Sequence, residues 1–224
     1  MLDRLLKVIN SEDFKKIKNA KILIIGIGGV GGSALESLVR IGISNITIVD
    51  NDIVEESNLN RQIISLHSNI GKYKVDVAKK RLLDINPTIN IKTNKSFITK
   101  DNIDELFKEK YDYIIDACDT VTTKVLLIKY AKLNNIDIIS CMGSGNRIDP
   151  TKLEIIDIYK TSYDPLAKVM RNLLKKEGIK KQKVIYSKEI PVKTKDSTPG
   201  STSLVPNVAG IYAASYIINK ILES

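Results

Sequence analysis

The chain has 224 residues, enough for one large domain with a real core or at most two small ones. Its 43% hydrophobic content is that of an ordinary globular protein, and the +9 net charge favours polyanionic partners. Aromatics make up 5% and Trp is absent, which argues against stacking on unpaired bases as the main mode of recognition.

The N-terminal MLDRLLKVINSEDFKK carries acids early and lacks a continuous apolar core, so it does not read as a secretory signal. Ser11, Glu12 and Asp13 predict a helix start, with Phe14 and Ile17 facing inward. KILII at 21–25 is a short apolar run ending in glycine, as a buried parallel strand would. A helix is expected over 30–41 and a second strand over 46–50. Residues 71–86 predict a helix that Pro87 stops. A strand follows at 89–93, a helix at 101–108, a strand at 111–116, a helix at 120–134 and a strand at 136–141. This alternation predicts an α/β fold: an open, Rossmann-like, mostly parallel sheet with helices on both faces.

After Pro150 the pattern becomes irregular. LEIIDI at 153–158 suggests a strand, 164–176 a basic helix, and KEIPVKTKDSTPGSTS at 188–203 a mobile loop. The last helix is expected over 205–222. Its most apolar stretch, VAGIYAASYII at 208–218, is too short to span a bilayer, so no membrane span is expected. The whole reads as a single domain over 1–224: a nucleotide-binding core at 1–150 and a basic late region at 151–224 forming a C-terminal extension.

GIGGVG at 26–31 matches GxGxxG between a predicted strand and a predicted helix. Gly26 permits the turn, Gly28 and its neighbour Gly29 let a phosphate approach the backbone, and Gly31 lets helix and strand pack. Asp50 ends the next strand, 19 residues beyond Gly31, where a carboxylate accepts hydrogen bonds from ribose hydroxyls. The motif alone does not choose the nucleotide. The following NDIVEESNLNRQ contributes Asp52, Asn58, Asn60, Arg61 and Gln62 in an irregular segment beyond a strand's carboxyl end, and Lys74 follows on the next helix. A departing diphosphate needs neutralising, and a guanidinium with an ammonium does that; Arg61 and Lys74 are candidate β,γ-phosphate clamps. In DACDT at 116–120, Asp119 is the candidate for Mg²⁺; the alternative for Asp116 and Asp119 is to cap the next helix.

His67 reads as a loop histidine bonded to backbone. Cys118 and Cys141 read as small apolar fillers, and such sparse cysteine suits a reducing cytosol, hence a cytoplasmic location.

Taken together, GIGGVG, Asp50-Asn51-Asp52, NLNRQ, Lys74 and DACDT resemble the ubiquitin-activating-like adenylating enzymes. The resemblance implies ATP and Mg²⁺ as cofactors and adenylation of a carboxylate. It assigns ribose binding to Asp50, phosphate contacts to Asn58, Arg61 and Lys74, and Mg²⁺ to Asp119. It also implies a homodimer in which Arg4 reaches the partner's site in trans. The tract IDPTKLEIIDIYKTSYDPLA at 148–167 and the terminal GSTSLVPNVAGIYAASYIINKIL are similar to the branch that cyclises threonylcarbamoyladenosine in tRNA. That branch implies a tRNA partner, with Arg147, Tyr163 and Asp164 as candidates to touch the tRNA or the activated carboxylate. Ten basic residues from Lys168 to Lys195, against only Glu177 and Glu189, suit phosphodiester contacts. A sulfur-transfer protein is the weaker partner expectation, since the 188–203 loop has no cysteine. The second functional expectation is an activator of a ubiquitin-like sulfur carrier.

Overall fold

The computed structural model describes residues 2–194 and 198–224; Lys195, counted in the basic run above, lies outside them. Seven strands make one sheet: β1 (Lys21–Ile25), β2 (Asn45–Val49), β3 (Asn90–Asn94), β4 (Tyr113–Asp116), β5 (Asp137–Cys141), β6 (Leu153–Asp157) and β7 (Lys183–Ser187). Their order is β3-β2-β1-β4-β5-β7-β6, all parallel except β6, which runs antiparallel to β7.

Period-two alternation explains why KILII is apolar throughout. Ile22 and Ile24 face one layer while Leu23 and Ile25 face the other, so helices on both sides bury every position. The first layer is α1 (Ser11–Asn19), α2 (Gly29–Arg40), α3 (Lys74–Ile85) and α7 (Leu204–Glu223). The second is α4 (Ile103–Leu106), α5 (Val121–Leu133) and α6 (Pro165–Lys176). Each fully buried Leu, Ile or Val contributes about 1.5–3 kcal/mol.

Three local departures from the sequence expectation have physical causes. Asn10, not Ser11, caps α1: its side chain accepts from the Asp13 amide at 2.8 Å. α4 (Ile103–Leu106) starts two residues later than expected because the Asn102 side chain folds back on the preceding turn, accepting from Thr99 N at 2.8 Å and donating to Phe97 O at 2.9 Å. β7 was not expected at all. KVIYS enters between β5 and β6, and the buried Gln182 fastens its start by donating to Ile138 O at 2.9 Å and Lys183 O at 2.8 Å. The late region thus extends the same sheet rather than trailing from it.

α7 lies directly on α2. A Cβ at Gly210 would stand 2.2 Å from Val30 O and 2.8 Å from Ala34 N, so only a glycine lets the two backbones approach this closely.

Candidate active site

A cleft of about 830 Å³ opens beyond the carboxyl ends of β1, β2, β4 and β5, the place where open α/β sheets hold ligands. Its floor is the glycine turn. Gly26 has φ +86°, and a Cβ there would lie 2.7 Å from Ala117 O. Gly28 is the N-cap of α2 and has no side chain with which to cap it, so the first amides of the helix remain available to an anion. Gly28 and Gly29 line the cleft. Gly31 does not: a Cβ there would stand 1.8 Å from Gly26 O, so its glycine serves helix–strand packing rather than ligand contact.

Asp50 ends the second strand's run and lines the cleft. Its Oδ2 accepts from Ile27 N at 2.6 Å and its Oδ1 from Asp52 N at 2.8 Å. Burial pushes its carboxyl above the ordinary value, and the two amide bonds and nearby Lys74 oppose this without reversing it. The two amides hold the carboxylate in one orientation at the cleft wall.

Asn58, Arg61, Gln62, Lys74 and Asp52 line the same cleft. Asn58 is buried, and its Oδ1 accepts from Glu55 N at 3.2 Å, closing the short helical turn of the loop. Arg61 donates through Nη1 to Ser57 O at 2.7 Å and Asn60 Oδ1 at 3.0 Å. The buried Lys74 ammonium lies 2.7 Å from Asp52 Oδ2, an acid open to solvent. Sequence reasoning missed Asn207 on α7, which donates to Arg61 O at 3.1 Å and accepts from Ser33 Oγ of α2. It ties the arginine's backbone to both helices; no motif signalled it, because it lies 146 residues away.

Asp119 is exposed and lines the cleft. It does not cap α5, whose N-cap is Thr120 without a side-chain bond. Asp116 does not cap it either. Its carboxylate is fully buried, and both oxygens lie 3.0 Å from the equally buried Lys124 Nζ. Burial alone would depress the Lys124 amine; the Asp116 charge reverses this and holds it above the ordinary lysine value. Cys118 Sγ donates to Asp116 Oδ1 at 3.1 Å, and burial with that neighbouring charge pushes its thiol far up. Burial likewise pushes Cys141 up to about 12. Both thiols line the cleft, and both are held protonated.

The remaining wall was not foreseen. Phe97, Ile98 and Met142 offer apolar surface, and Gly143, Ser144 and Gly145 follow β5. A glycine pair just past a strand's carboxyl end was the available signal. Pro199 and Gly200 close over this turn: Asn146 N donates to Gly200 O at 2.8 Å, and Gly200 N to Asn146 Oδ1 at 2.6 Å. Part of the 188–203 loop is therefore fastened to the cleft.

Arg147 and Asp164, expected as contact residues, are instead interior. They are 2% and 3% exposed and lie 3.6 Å apart. Arg147 donates to Gly143 O, to Glu189 O at 3.3 Å and to Tyr163 O at 3.4 Å, so it braces the cleft rim from behind. Tyr163 is exposed. Arg4 is exposed in the N-terminal segment and does not line this chain's cleft, and neither does the exposed His67.

A glycine turn at a helix start, a carboxylate at the end of the next strand and two cations in one cleft define a nucleotide-handling site. The ThiF family matches residues 2–223, and the chain belongs to that family. Within it, the chain is 38% identical to the tRNA threonylcarbamoyladenosine dehydratase of Bacillus subtilis (strain 168), over 96% of this chain and 92% of that one. It is 34% identical to the protein of the same name from Haemophilus influenzae, over 97% and 91%. The crystal structure of E. coli tRNA N6-threonylcarbamoyladenosine dehydratase, TcdA, in complex with ATP superposes with a TM-score of 0.92 at 33% identity, covering 97% of this chain and 92% of that chain.

Proposed function

We propose that this chain is an ATP-dependent tRNA threonylcarbamoyladenosine dehydratase, working as one adenylating unit over 1–224, with 1–150 as its nucleotide-binding core. The observation that carries the reading is the meeting of Arg61, Lys74, Asp50 and the α2 amides in one cleft large enough for a nucleoside triphosphate. The threonyl carboxylate attacks the α-phosphorus of ATP, and pyrophosphate leaves as the acyl-adenylate forms. A nucleophile within the modified nucleoside then attacks the acyl carbon and AMP departs. The net change in the nucleoside is the loss of one water.

In this scheme Asp50 accepts from the ribose hydroxyls, and the first amides of α2 hold the phosphate chain. Asn58 and Gln62 donate to phosphate oxygens, while Arg61 and Lys74 stabilise the charge that collects on the departing pyrophosphate. Asp52 shares the Lys74 ammonium. Mg²⁺ binds protein through one or two carboxylates and takes its other ligands from phosphates and water. The solitary, exposed Asp119 fits that demand, and among the described residues no cluster of three or more candidate ligands offers a protein-only cage. Mg²⁺ held at Asp119 would supply further neutralisation of phosphate charge. Burial and the Asp116 charge hold the thiols of Cys118 and Cys141 towards the protonated form, so neither is set up as a thioester or persulfide nucleophile. The relatives do not favour the sulfur-carrier activator reading.

The working form is a homodimer with Arg4 reaching the partner's cleft. Val8 is 80% exposed, and Leu6, Leu66, Leu204 and Ile211 are also uncovered, which gives a second copy apolar surface to bury. Among the described residues no helix is long and apolar enough to cross a membrane, and a tRNA substrate places the work in the cytoplasm.

The reading is tested by incubating the protein with ATP, Mg²⁺ and threonylcarbamoyl-modified tRNA. AMP and a nucleoside lighter by one water are expected; an unchanged nucleoside mass rejects it. Mixed dimers of Arg4→Ala and Arg61→Ala protomers should regain activity that neither homodimer has, because one of the two clefts is then intact. Failure to regain it removes the trans role of Arg4.

A further inference from the structure

Tyr163 combines two uncommon properties. It is 64% exposed, and its φ of +54° is a left-handed conformation that a bulky residue adopts at a cost. The conformation is held from within. The buried Arg147 grips both Tyr163 O and Gly143 O, and Asp164, next in the chain, caps α6 by accepting from Ala167 N at 3.0 Å. Gly143 lines the cleft, so the same brace that shapes the cleft rim pushes an aromatic ring outward beside it.

α6 leads away from this point, with Leu166 of its first turn on the cleft wall. Its inner side is Ala167, Met170 and Leu174. Its solvent side presents Lys168, Asn172, Lys175 and Lys176 at helical spacing, with no acid among them. Glu177, which follows, is neutralised by Lys129 at 2.7 Å, and Arg171 is turned inward onto Thr161. The three lysines therefore face water with their charge unspent along roughly 12 Å of helix.

We propose that Tyr163 and the solvent side of α6 form the RNA-docking edge of the cleft: the three lysines follow the phosphodiester backbone, and Tyr163 stacks on a base next to the nucleoside being modified. This rests on the tRNA reading above. Stacking needs only a π-face and lysine–phosphate contact only charge, so the two halves of the edge respond differently to salt.

Wild-type conversion is scored first by nucleoside mass; if it fails, the tRNA reading itself falls. With conversion in hand, binding of the modified tRNA is measured by fluorescence anisotropy between roughly 50 and 200 mM salt. Combining Lys168→Ala, Lys175→Ala and Lys176→Ala should flatten the salt slope by roughly two to three. A matched set on the opposite face of the sheet, Lys15→Ala, Lys18→Ala and Lys80→Ala, should leave it unchanged. Tyr163→Ala should weaken binding roughly 5- to 100-fold at every salt with the slope intact, while Tyr163→Phe keeps wild-type affinity. ATP binding without tRNA should stay as in the wild type throughout. Equal slopes for the two lysine sets overturn the docking edge, and so does a Tyr163→Phe variant as weak as Tyr163→Ala.

Discussion

One lysine–aspartate pair lies buried behind the cleft and a second lines it, and they differ in one respect that sorts their work. Lys124 and Asp116 have side chains that are both 0% exposed, with two contacts at 3.0 Å. Lys74 is nearly as buried, at 6%, but its partner Asp52 is 58% exposed. A carboxylate in water gives up an ammonium cheaply, because solvent takes over its charge. One sealed in the interior does not. The first pair is therefore a fixed strut beneath the cleft, and the second is a cation that can be drawn off its acid, as the phosphate role proposed for Lys74 requires. The difference lies in the exposure of the acid, not of the lysine.

Breaking the sealed pair should give the largest effect. Lys124→Met strands a buried carboxylate and should cost about 3–5 kcal/mol, lowering the melting temperature by roughly 6–20 °C. An unchanged melting curve would remove the strut from this account. Next come Lys74→Ala and Arg61→Ala. Each should lower AMP formation about 10²–10³-fold while the melting temperature moves little, since Asp52 is left in water. A large loss of stability in Lys74→Ala would erase the contrast between the pairs.

A smaller effect sharpens the chemistry at Asp50. Its carboxyl is raised by burial, so over the window above 3.8 the folded chain binds more protons than the unfolded one. Its contribution to stability therefore falls as pH rises through that window. Nucleotide affinity runs the other way in the proposed scheme, where ribose hydroxyls donate to the ionised form, and ATP binding should weaken as pH falls towards the raised value. Calorimetric titration of wild type against Asp50→Asn should show this dependence in the first and not in the second. The smallest effect is expected for Cys118→Ala. Asp116 keeps both contacts to Lys124, so the cost should be about 1 kcal/mol, with AMP formation retained. Abolished turnover would mean the thiol acts chemically.

Features carried by local spacing were legible in the sequence. The glycine turn, Asp50, the NLNRQ loop and Lys74 come together in the cleft because each follows a strand whose apolar run is unmistakable. Features carried by contact between distant segments were not. Lys124 sits one turn into α5, and only the closed sheet shows that it reaches Asp116. Asn207 reaches Arg61 across the chain. KVIYS went unread because it follows a lysine-rich stretch, and its partners in the sheet lie far back in the chain, Ser140 opposite Val184 and Ile155 opposite Ile185. Arg147 and Asp164 looked like contact residues for the same reason: a sequence does not show that two charges cancel each other in the interior.

The glycine at 210 has a consequence for how the protein is made. α2 emerges from the ribosome early, yet the surface it must rest on, α7, is made much later. Until the segment from Leu204 onward has been synthesised, Ala34 and its neighbours on α2 lack their cover, and Arg61 lacks the Asn207 clamp. A nascent chain can therefore carry the whole glycine-loop motif before the helix that covers it exists; the cleft wall is completed only when α7, with Pro206, docks.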